Sequence, residues 1–330
     1  MRAFVVTGPG EAGPADVPEP VAGVGEVVVD VERAGVCGTD VEFFTGEMQY
    51  LADGHASYPL RLGHEWCGTV SGVGPGVHPA WIGRRVTGDT MLGCGECRRC
   101  RAGHQHVCET RQEVGIRGGR AGALAEKLAV PVRSLHELGG LDPMAGALVE
   151  PGGNACRAAR AAAGERVLVL GPGTIGLLTA LFLRAAGSEV HLVGATPWSV
   201  EFARGLGFPA ATTVPDPPFD AVVDATNDPA APALAAELVE PAGRIVYIGL
   251  AGKASLLDTR LVALKDVTAV GVLSGSPGLP DAIDAYAGED VDPRPLVAAT
   301  VGLDEVAAVL GGKRPDGAGA GPKIHVDPRW

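Results

Sequence analysis

The sequence predicts an α/β chain in which a doubly wound parallel sheet is joined to a smaller, barrel-like β domain. Three observations carry this. From about residue 153 to 290, short β-branched runs alternate with helical stretches, the pattern of parallel βαβ units. Within that stretch, Gly171-Pro172-Gly173-Thr174-Ile175-Gly176 follows an apolar run and opens a helix. Up to about residue 130 the chain shows many short apolar runs broken by Gly and Pro, as at Gly74-Pro75-Gly76, which suits a small barrel.

Length and composition bound the rest. The 330 residues fit two domains of roughly 150 residues each. An apolar fraction of 46% allows a sizeable core. The net charge is −12 with no basic block, so nucleic acid and anionic membrane are excluded as partners, because phosphate binding needs clustered Lys and Arg. The first apolar run breaks at Gly8-Pro9, too short for a signal segment. No run approaches the roughly 18 apolar residues of a membrane span. A cytoplasmic protein is expected. Of the 7 cysteines, four are tightly spaced. An odd count without a signal segment argues for metal binding rather than disulfides.

Taken in order, strands are expected at Val27 to Glu32 and Glu65 to Val73, with a β-like run at Tyr58 to Leu62. A helix is expected over Ala155 to Ala163, with Gly152-Gly153-Asn154 bending the chain ahead of it and Asn154 capping it. The alternating region reads as strand Arg166 to Leu170, helix Thr174 to Ala186, strand Glu189 to Val193 and helix Trp198 to Leu206. It continues with strand Ala221 to Asp224, helix Ala230 to Val239 and strands Ile245 to Ile248 and Thr268 to Val272. The tail holds a helix, Leu303 to Leu310, and a β-like Lys323-Ile324-His325-Val326 that can return to the first sheet. The expected domains are 1–152, 153–290 and a C-terminal segment 291–330.

The cysteine cluster is the strongest single motif. Cys94, Cys97, Cys100 and Cys108 can close a tetrahedral shell around zinc within one loop, leaving no open position, so the site is structural. His104 and His106 lie in the same loop and are surplus to it.

Next is the dinucleotide fingerprint of a Rossmann domain. Gly171 makes the turn, Gly173 admits the pyrophosphate, and Gly176 lets helix and strand pack closely; Thr174 and Ile175 open the helix whose amino end faces the phosphates. The second strand of an NAD site usually ends in an acid that bonds the ribose 2′-hydroxyl. Here it ends Val193-Gly194-Ala195-Thr196. A small neutral Gly194 leaves room for a 2′-phosphate, favouring NADP over NAD, with Thr196 and, more distantly, Arg204 as phosphate partners. Ligands of such sheets bind outside the C-terminal strand ends, so Thr226, Gly249 and Leu273 are expected to line the cofactor. Asp224 is read as a turn-capping acid.

A second metal site is suggested by Cys37, His64, Glu65 and Glu150, which offer a thiolate, an imidazole and two carboxylates, the donor types of an open zinc site. Their sequence separation does not by itself bring them together. The motifs Gly35-Val36-Cys37-Gly38-Thr39-Asp40, Gly63-His64-Glu65, the four-cysteine loop, Glu150-Pro151 and the glycine fingerprint occur in an order that resembles the zinc-dependent medium-chain alcohol dehydrogenases, across essentially the whole chain. An acid at position 150 looks like the sorbitol and glucose dehydrogenase branches.

The resemblance implies a GroES-like barrel domain plus a Rossmann domain, and two zinc ions per chain. It implies that Cys37, His64 and either Glu65 or Glu150 hold a catalytic zinc, and that Thr39 relays the alcohol proton. Glu42 stands where many members carry a relay His; the sugar-oxidising branch also has Glu there. The implied activity is interconversion of a secondary alcohol (polyol, sugar or cyclitol) and its ketone with NADP(H), by a homodimer or homotetramer. Alternatives are a simple secondary-alcohol or threonine-type dehydrogenase using NAD, a zinc-free reductase of the same superfamily, and a catalytically silent zinc-binding relative. Substrate-pocket residues are expected from Phe43, Phe44, Met48, Tyr50 and His55.

Overall fold

A computed structural model describes all residues from Met1 to Trp330. In chain order the first elements are β1 (Arg2–Gly8), β2 (Glu11–Asp16), β3 (Glu26–Gly35), α1 (Gly38–Thr45), α2 (Gln49–Ala52), β4 (Glu65–Val73), β5 (Arg85–Gly88), β6 (Met91–Leu92), α3 (Arg98–Arg101), β7 (Gln112–Glu113), β8 (Lys127–Pro131), β9 (Leu135–Glu137) and α4 (Pro143–Ala147). They are followed by α5 (Val149–Ala161), β10 (Arg166–Leu170), α6 (Thr174–Ala185), β11 (Glu189–Val193), α7 (Pro197–Gly205), β12 (Ala210–Ala211), β13 (Phe219–Asp224), α8 (Ala231–Leu238), β14 (Val239–Tyr247), α9 (Thr259–Leu264), β15 (Thr268–Gly271), α10 (Leu279–Ala287), β16 (Val297–Val301), α11 (Val306–Leu310) and β17 (Lys323–Val326). One compact unit comprises Met1–Glu150 and Pro293–Trp330, the other Pro151–Asp292.

The first unit is built on a sheet ordered β16-β17-β3-β4-β5-β9, with β8 also paired to β3. β3 alternates buried and half-buried residues along Val27 to Val31, the period-two pattern of a strand with one face in the core. Phe4, Phe43, Leu62, Trp66 and Leu124 are fully buried there. The C-terminal β17 pairs antiparallel with β3, His325 opposite Gly35 and Val326 opposite Ala34.

The expected β-like run at Tyr58 to Leu62 does not form a strand. Only Leu60 pairs, in an isolated bridge with Val6. Pro59 has no N–H to give to a ladder.

The second unit is a six-stranded parallel sheet ordered β12-β11-β10-β13-β14-β15. The chain starts at the centre with β10, runs out to β12, then returns to β13 on the other side, which is the doubly wound Rossmann order. Its reversal puts a crevice at the carboxyl ends of β10 and β13.

Helix α5 corrects one expectation. It runs unbroken from Val149 to Ala161, so Gly152-Gly153-Asn154 neither bends the chain nor caps a helix. The two glycines serve close packing instead. A Cβ on Gly152 would lie 2.2 Å from the Tyr286 hydroxyl, and one on Gly153 would lie 2.7 Å from the Gly275 carbonyl.

Candidate active site

The carboxyl end of β3 delivers Cys37 to the N-cap of α1, the loop ahead of β4 delivers Gly63 and His64, and Glu65 is the first residue of β4. Gly63 has φ +98°, and a Cβ there would lie 2.6 Å from the Leu124 nitrogen. No other residue fits this approach. One donor atom from each of Cys37, His64 and Glu65 lies within 4.8 Å of the others. Glu150 is buried near the start of α5, and its carboxylate is not a member of this donor set.

Asp40 ties the set together. Its carboxylate accepts from the Cys37 N–H at 2.9 Å and the Gly63 N–H at 3.3 Å, and lies 3.6 Å from His64 Nδ1. It is fully buried. Burial alone would push the His64 pKa down, but Asp40 and the Cys37 sulfur reverse this and hold it well above its ordinary value. A carboxylate behind Nδ1 leaves Nε2 as the ligating atom, the usual support of a metal-binding His. Three potentially anionic side chains around one buried imidazole fit a dication.

Glu65 has a competing partner. Lys323, on β17, donates to both of its carboxylate oxygens at 2.8 and 2.7 Å and to the Val36 carbonyl at 3.0 Å. Both side chains are buried. Burial lowers the Lys323 pKa, but Glu65 and Cys37 outweigh it and the net shift is upward. Sequence reasoning missed Asp40 and Lys323. The available signals were an acid three residues after Cys37, able to cap a helix, and a lone cation in an otherwise apolar C-terminal run.

Thr39 and Glu42 lie on α1. Partial desolvation, then the neighbouring Glu47 carboxylate, raise the Glu42 pKa.

The second candidate centre lies in the loop around α3. The sulfurs of Cys94, Cys97, Cys100 and Cys108 lie within 4.8 Å of one another. Cys94 to Cys100 is 4.0 Å and Cys97 to Cys108 is 3.8 Å, against an edge of about 3.8 Å for tetrahedral Zn–S bonds near 2.3 Å. Peptide N–H groups of Cys94, Glu96, Cys97 and Cys100 point at these sulfurs at 3.4–3.5 Å. Such donors stabilise thiolates; the Cys94 N–H above all lowers the Cys108 pKa to about 6. The donor set fits structural zinc.

The coenzyme motif has the geometry its glycines require. Gly171 has φ +90°. A Cβ on Gly176 would lie 1.9 Å from the Gly171 carbonyl, whereas Gly173 has nothing within 4 Å. The middle glycine therefore faces open space, and α6, which has no side-chain cap, presents the N–H groups of Thr174 and Ile175 at that opening. A Cβ on Gly194 would lie 2.8 Å from both Pro172 Cγ and Ser199 Oγ, so any side chain there must displace these groups.

Thr196 caps α7: its Oγ1 accepts from the Ser199 N–H at 3.2 Å and donates to Ser199 Oγ at 3.0 Å. Arg204 donates to the Ala210 carbonyl and pairs with Glu201. At the end of β13, Asp224 accepts from Thr226 N–H and hydroxyl at 3.0 and 2.8 Å. A Cβ on Gly249 would lie 1.9 Å from the Thr226 carbonyl. Leu273 is partly exposed, and its carbonyl accepts from Arg157. A cleft of about 720 Å³ opens among Cys156, Phe182 and Asp281. It also contains Gly164 and Ser188, which precede β10 and β11, so it lies at the opposite strand ends and holds none of these residues.

The alcohol dehydrogenase GroES-like domain family matches residues 23–140. L-threonine 3-dehydrogenase of Saccharopolyspora erythraea is 32% identical over 290 residues, covering 82% of this chain and 83% of that protein. L-galactonate-5-dehydrogenase of Escherichia coli K12 is 32% identical over 248 residues, covering 70% and 71%. Among solved structures, a protein of Sinorhizobium meliloti 1021 described as a zinc-binding dehydrogenase, bound to NADP, superposes with a TM-score of 0.88 at 27% identity, covering 99% of each chain. On its motifs, its fold and these relatives, the chain belongs to the zinc-dependent medium-chain alcohol dehydrogenases and is an oxidoreductase of that type.

Proposed function

We propose that this enzyme interconverts a secondary alcohol, a polyol, sugar or cyclitol, and its ketone using NADP(H), with one catalytic and one structural zinc per chain. The observation that carries the reading is the convergence of Cys37, His64 and Glu65 with Asp40 behind the imidazole. When bound there, zinc supplies a Lewis acid that lowers the pKa of the substrate hydroxyl, and the nicotinamide takes or gives the hydride.

The chain's own residues do the rest. Cys37 and His64 would hold the ion, with the Asp40 carboxylate 3.6 Å behind the imidazole Nδ1 so that Nε2 would be the ligating nitrogen. Lys323 bonds both Glu65 oxygens, and either Glu65 or Glu150 would be the third protein ligand. Thr39 Oγ1 relays the substrate proton, and Glu42 accepts a hydrogen bond from a substrate hydroxyl or from that relay.

Preference for NADP is supported by the packing around Gly194, where an acid that would read a ribose 2′-hydroxyl must displace Pro172 and Ser199. Arg204 is committed elsewhere, so a 2′-phosphate is met by the first turn of α7 and the Thr196 and Ser199 hydroxyls. Thr226, Gly249 and Leu273 line the crevice.

The threonine half of the alternative, a threonine-type dehydrogenase using NAD, is favoured by the Saccharopolyspora erythraea L-threonine 3-dehydrogenase. A substrate panel containing polyols, aldonates and L-threonine, run with NADP and NAD in parallel, decides between them. A polyol or sugar substrate with NADP supports the reading, and threonine turnover with strong NAD preference overturns it. Three exposed leucines in the segment between β14 and the edge strand β15, Leu250, Leu256 and Leu264 at 75%, 90% and 80% exposure, support a homodimer or homotetramer; a monomeric mass by light scattering contradicts that.

A further inference from the structure

The polar cluster between the α2 loop and the exit of the cysteine lobe contains none of the metal donors and none of the glycine-motif residues. Tyr50 is its hub. Its hydroxyl accepts from Arg111 Nη2 at 3.1 Å and donates to Glu113 Oε1 at 3.3 Å. Arg111 Nε donates to the same Glu113 oxygen at 2.7 Å, and Glu113 is buried. The Tyr50 phenol is therefore fixed in place from its polar end.

Its ring carries two further groups. The Arg117 guanidinium lies 5.5 Å above the ring centroid, and the His55 imidazole packs edge-on at 5.7 Å. Arg117 Nη2 lies 3.5 Å from His55 Nδ1. Arg117 makes no ion pair with a carboxylate, whereas its neighbours Arg99, Arg111 and Arg120 pair with Glu109, Glu113 and Glu26. A guanidinium and an imidazole held side by side on an aromatic platform, with no acid between them, are complementary to an anion.

The cluster stands next to the donor set. Thr90 Oγ1 donates to the His64 carbonyl, and the Val114 N–H donates to the Thr90 carbonyl. Gly115 packs against Gly63; a Cβ on it would lie 2.7 Å from the Gly63 carbonyl. The Met48 N–H donates to the Glu42 carbonyl, so α2, which bears Tyr50, follows directly from the helix bearing Thr39. Residues of the two loops also hold each other, through the Gly118 N–H on the His55 carbonyl. In a chain of net charge −12, a cation without a carboxylate partner, in the loop that packs against Gly63, attracts an anionic substrate.

We propose that Arg117 and His55, mounted on Tyr50, form an anion-recognition subsite, and that the alcohol handled by this enzyme carries a carboxylate or phosphate remote from its reacting carbon. This rests on the dehydrogenase reading above and narrows its substrate class. Arg117 acts on specificity, not on hydride transfer.

The test uses the zinc-loaded full chain with saturating NADP. Three substrates of equal chain length are compared: a neutral polyol, the corresponding aldonate and the terminal phosphate monoester. Wild type is expected to favour the anionic members in kcat/KM, and the better of the two identifies the headgroup. Arg117→Leu is expected to lose about ten- to a hundred-fold on them, mainly in KM, the effect of removing a charge-assisted contact. The ratio of anionic to neutral turnover then falls toward one, and Arg117→Lys restores part of it. An equal loss on all three substrates, or a wild type that favours the neutral polyol, overturns the proposal. If wild type oxidises none of the three, the substrate reading fails, and the subsite is judged separately by calorimetric titration of inorganic phosphate into the NADP-saturated protein. Binding present in wild type and lost in Arg117→Leu keeps the subsite; equal binding in both removes it.

Discussion

Replacing Lys323 by Met isolates the charge behind the metal donors. Lys323 and Glu65 are 3% and 2% exposed, and the ammonium bonds both carboxylate oxygens. Removing one partner of such a pair leaves an uncompensated buried charge, at a cost of about 3–5 kcal/mol. The barrel unit holds about 190 residues, for which 1 kcal/mol lowers the melting temperature by about 2–4 °C, so a fall of roughly 6–20 °C is expected under chelation. With zinc restored, Glu65 is free to ligate the ion. The gap between zinc-loaded and chelated melting temperatures should therefore be wider in Lys323→Met than in wild type. The double variant Glu65→Gln, Lys323→Met should recover much of the chelated loss, because the stranded charge is gone. The pH dependence has a definite sign. The Lys323 pKa is raised in the folded state, so its stabilisation is fully present below its unfolded value near 10.4 and is lost as pH rises through the folded value. Melting of Lys323→Met within about a degree of wild type under chelation would refute this reasoning, as would a double variant no more stable than the single.

Three further outcomes are expected. Gly194→Asp should lower the melting temperature without creating NAD preference, since its Cβ would meet Pro172 and Ser199 at 2.8 Å; parallel NAD and NADP kinetics check this, and a clean switch to NAD with unchanged stability speaks against it. Gly152→Ala should cost about 1–3 kcal/mol by overpacking, because the added methyl would lie 2.2 Å from the Tyr286 hydroxyl; chemical denaturation of the purified variant measures it. Burial opposes ionisation of Asp327, but Arg329 and Arg33 hold its pKa below the ordinary range. Its stabilisation is thus present above the unfolded value near 3.9 and lost as pH falls through the lower folded value. Asp327→Asn should flatten the acid limb of the stability curve below about pH 4.

Local signals in the chain predicted much of this molecule. The glycine fingerprint is readable because each glycine answers a constraint set within a few residues: the Gly171 turn, the opening at Gly173 and the contact of Gly176 with Gly171 itself. The four cysteines are equally local. What escaped is long-range. Lys323 meets Glu65 only because β17 returns to β3, across 258 residues, and no periodicity encodes that pairing. Asp40 was visible in the Cys37 motif, but its bond to Gly63 depends on how two loops meet. Gly152 and Gly153 were read as a bend because glycine disfavours helices; the crowding from Tyr286 and Gly275 that requires them arises from another part of the chain. Pro59 carried a readable warning against a strand at Tyr58 to Leu62, which the alternation of Tyr58, Leu60 and Leu62 obscured.

The central claim is a metal centre at Cys37 and His64, separate from the one in the cysteine lobe. Zinc content per chain, measured on wild type, Cys37→Ala and Cys97→Ala, tests it most directly. About two zinc are expected in wild type and about one in each variant, with alcohol oxidation lost in Cys37→Ala. A wild type holding a single zinc that Cys37→Ala retains in full, with oxidation unimpaired, would contradict it.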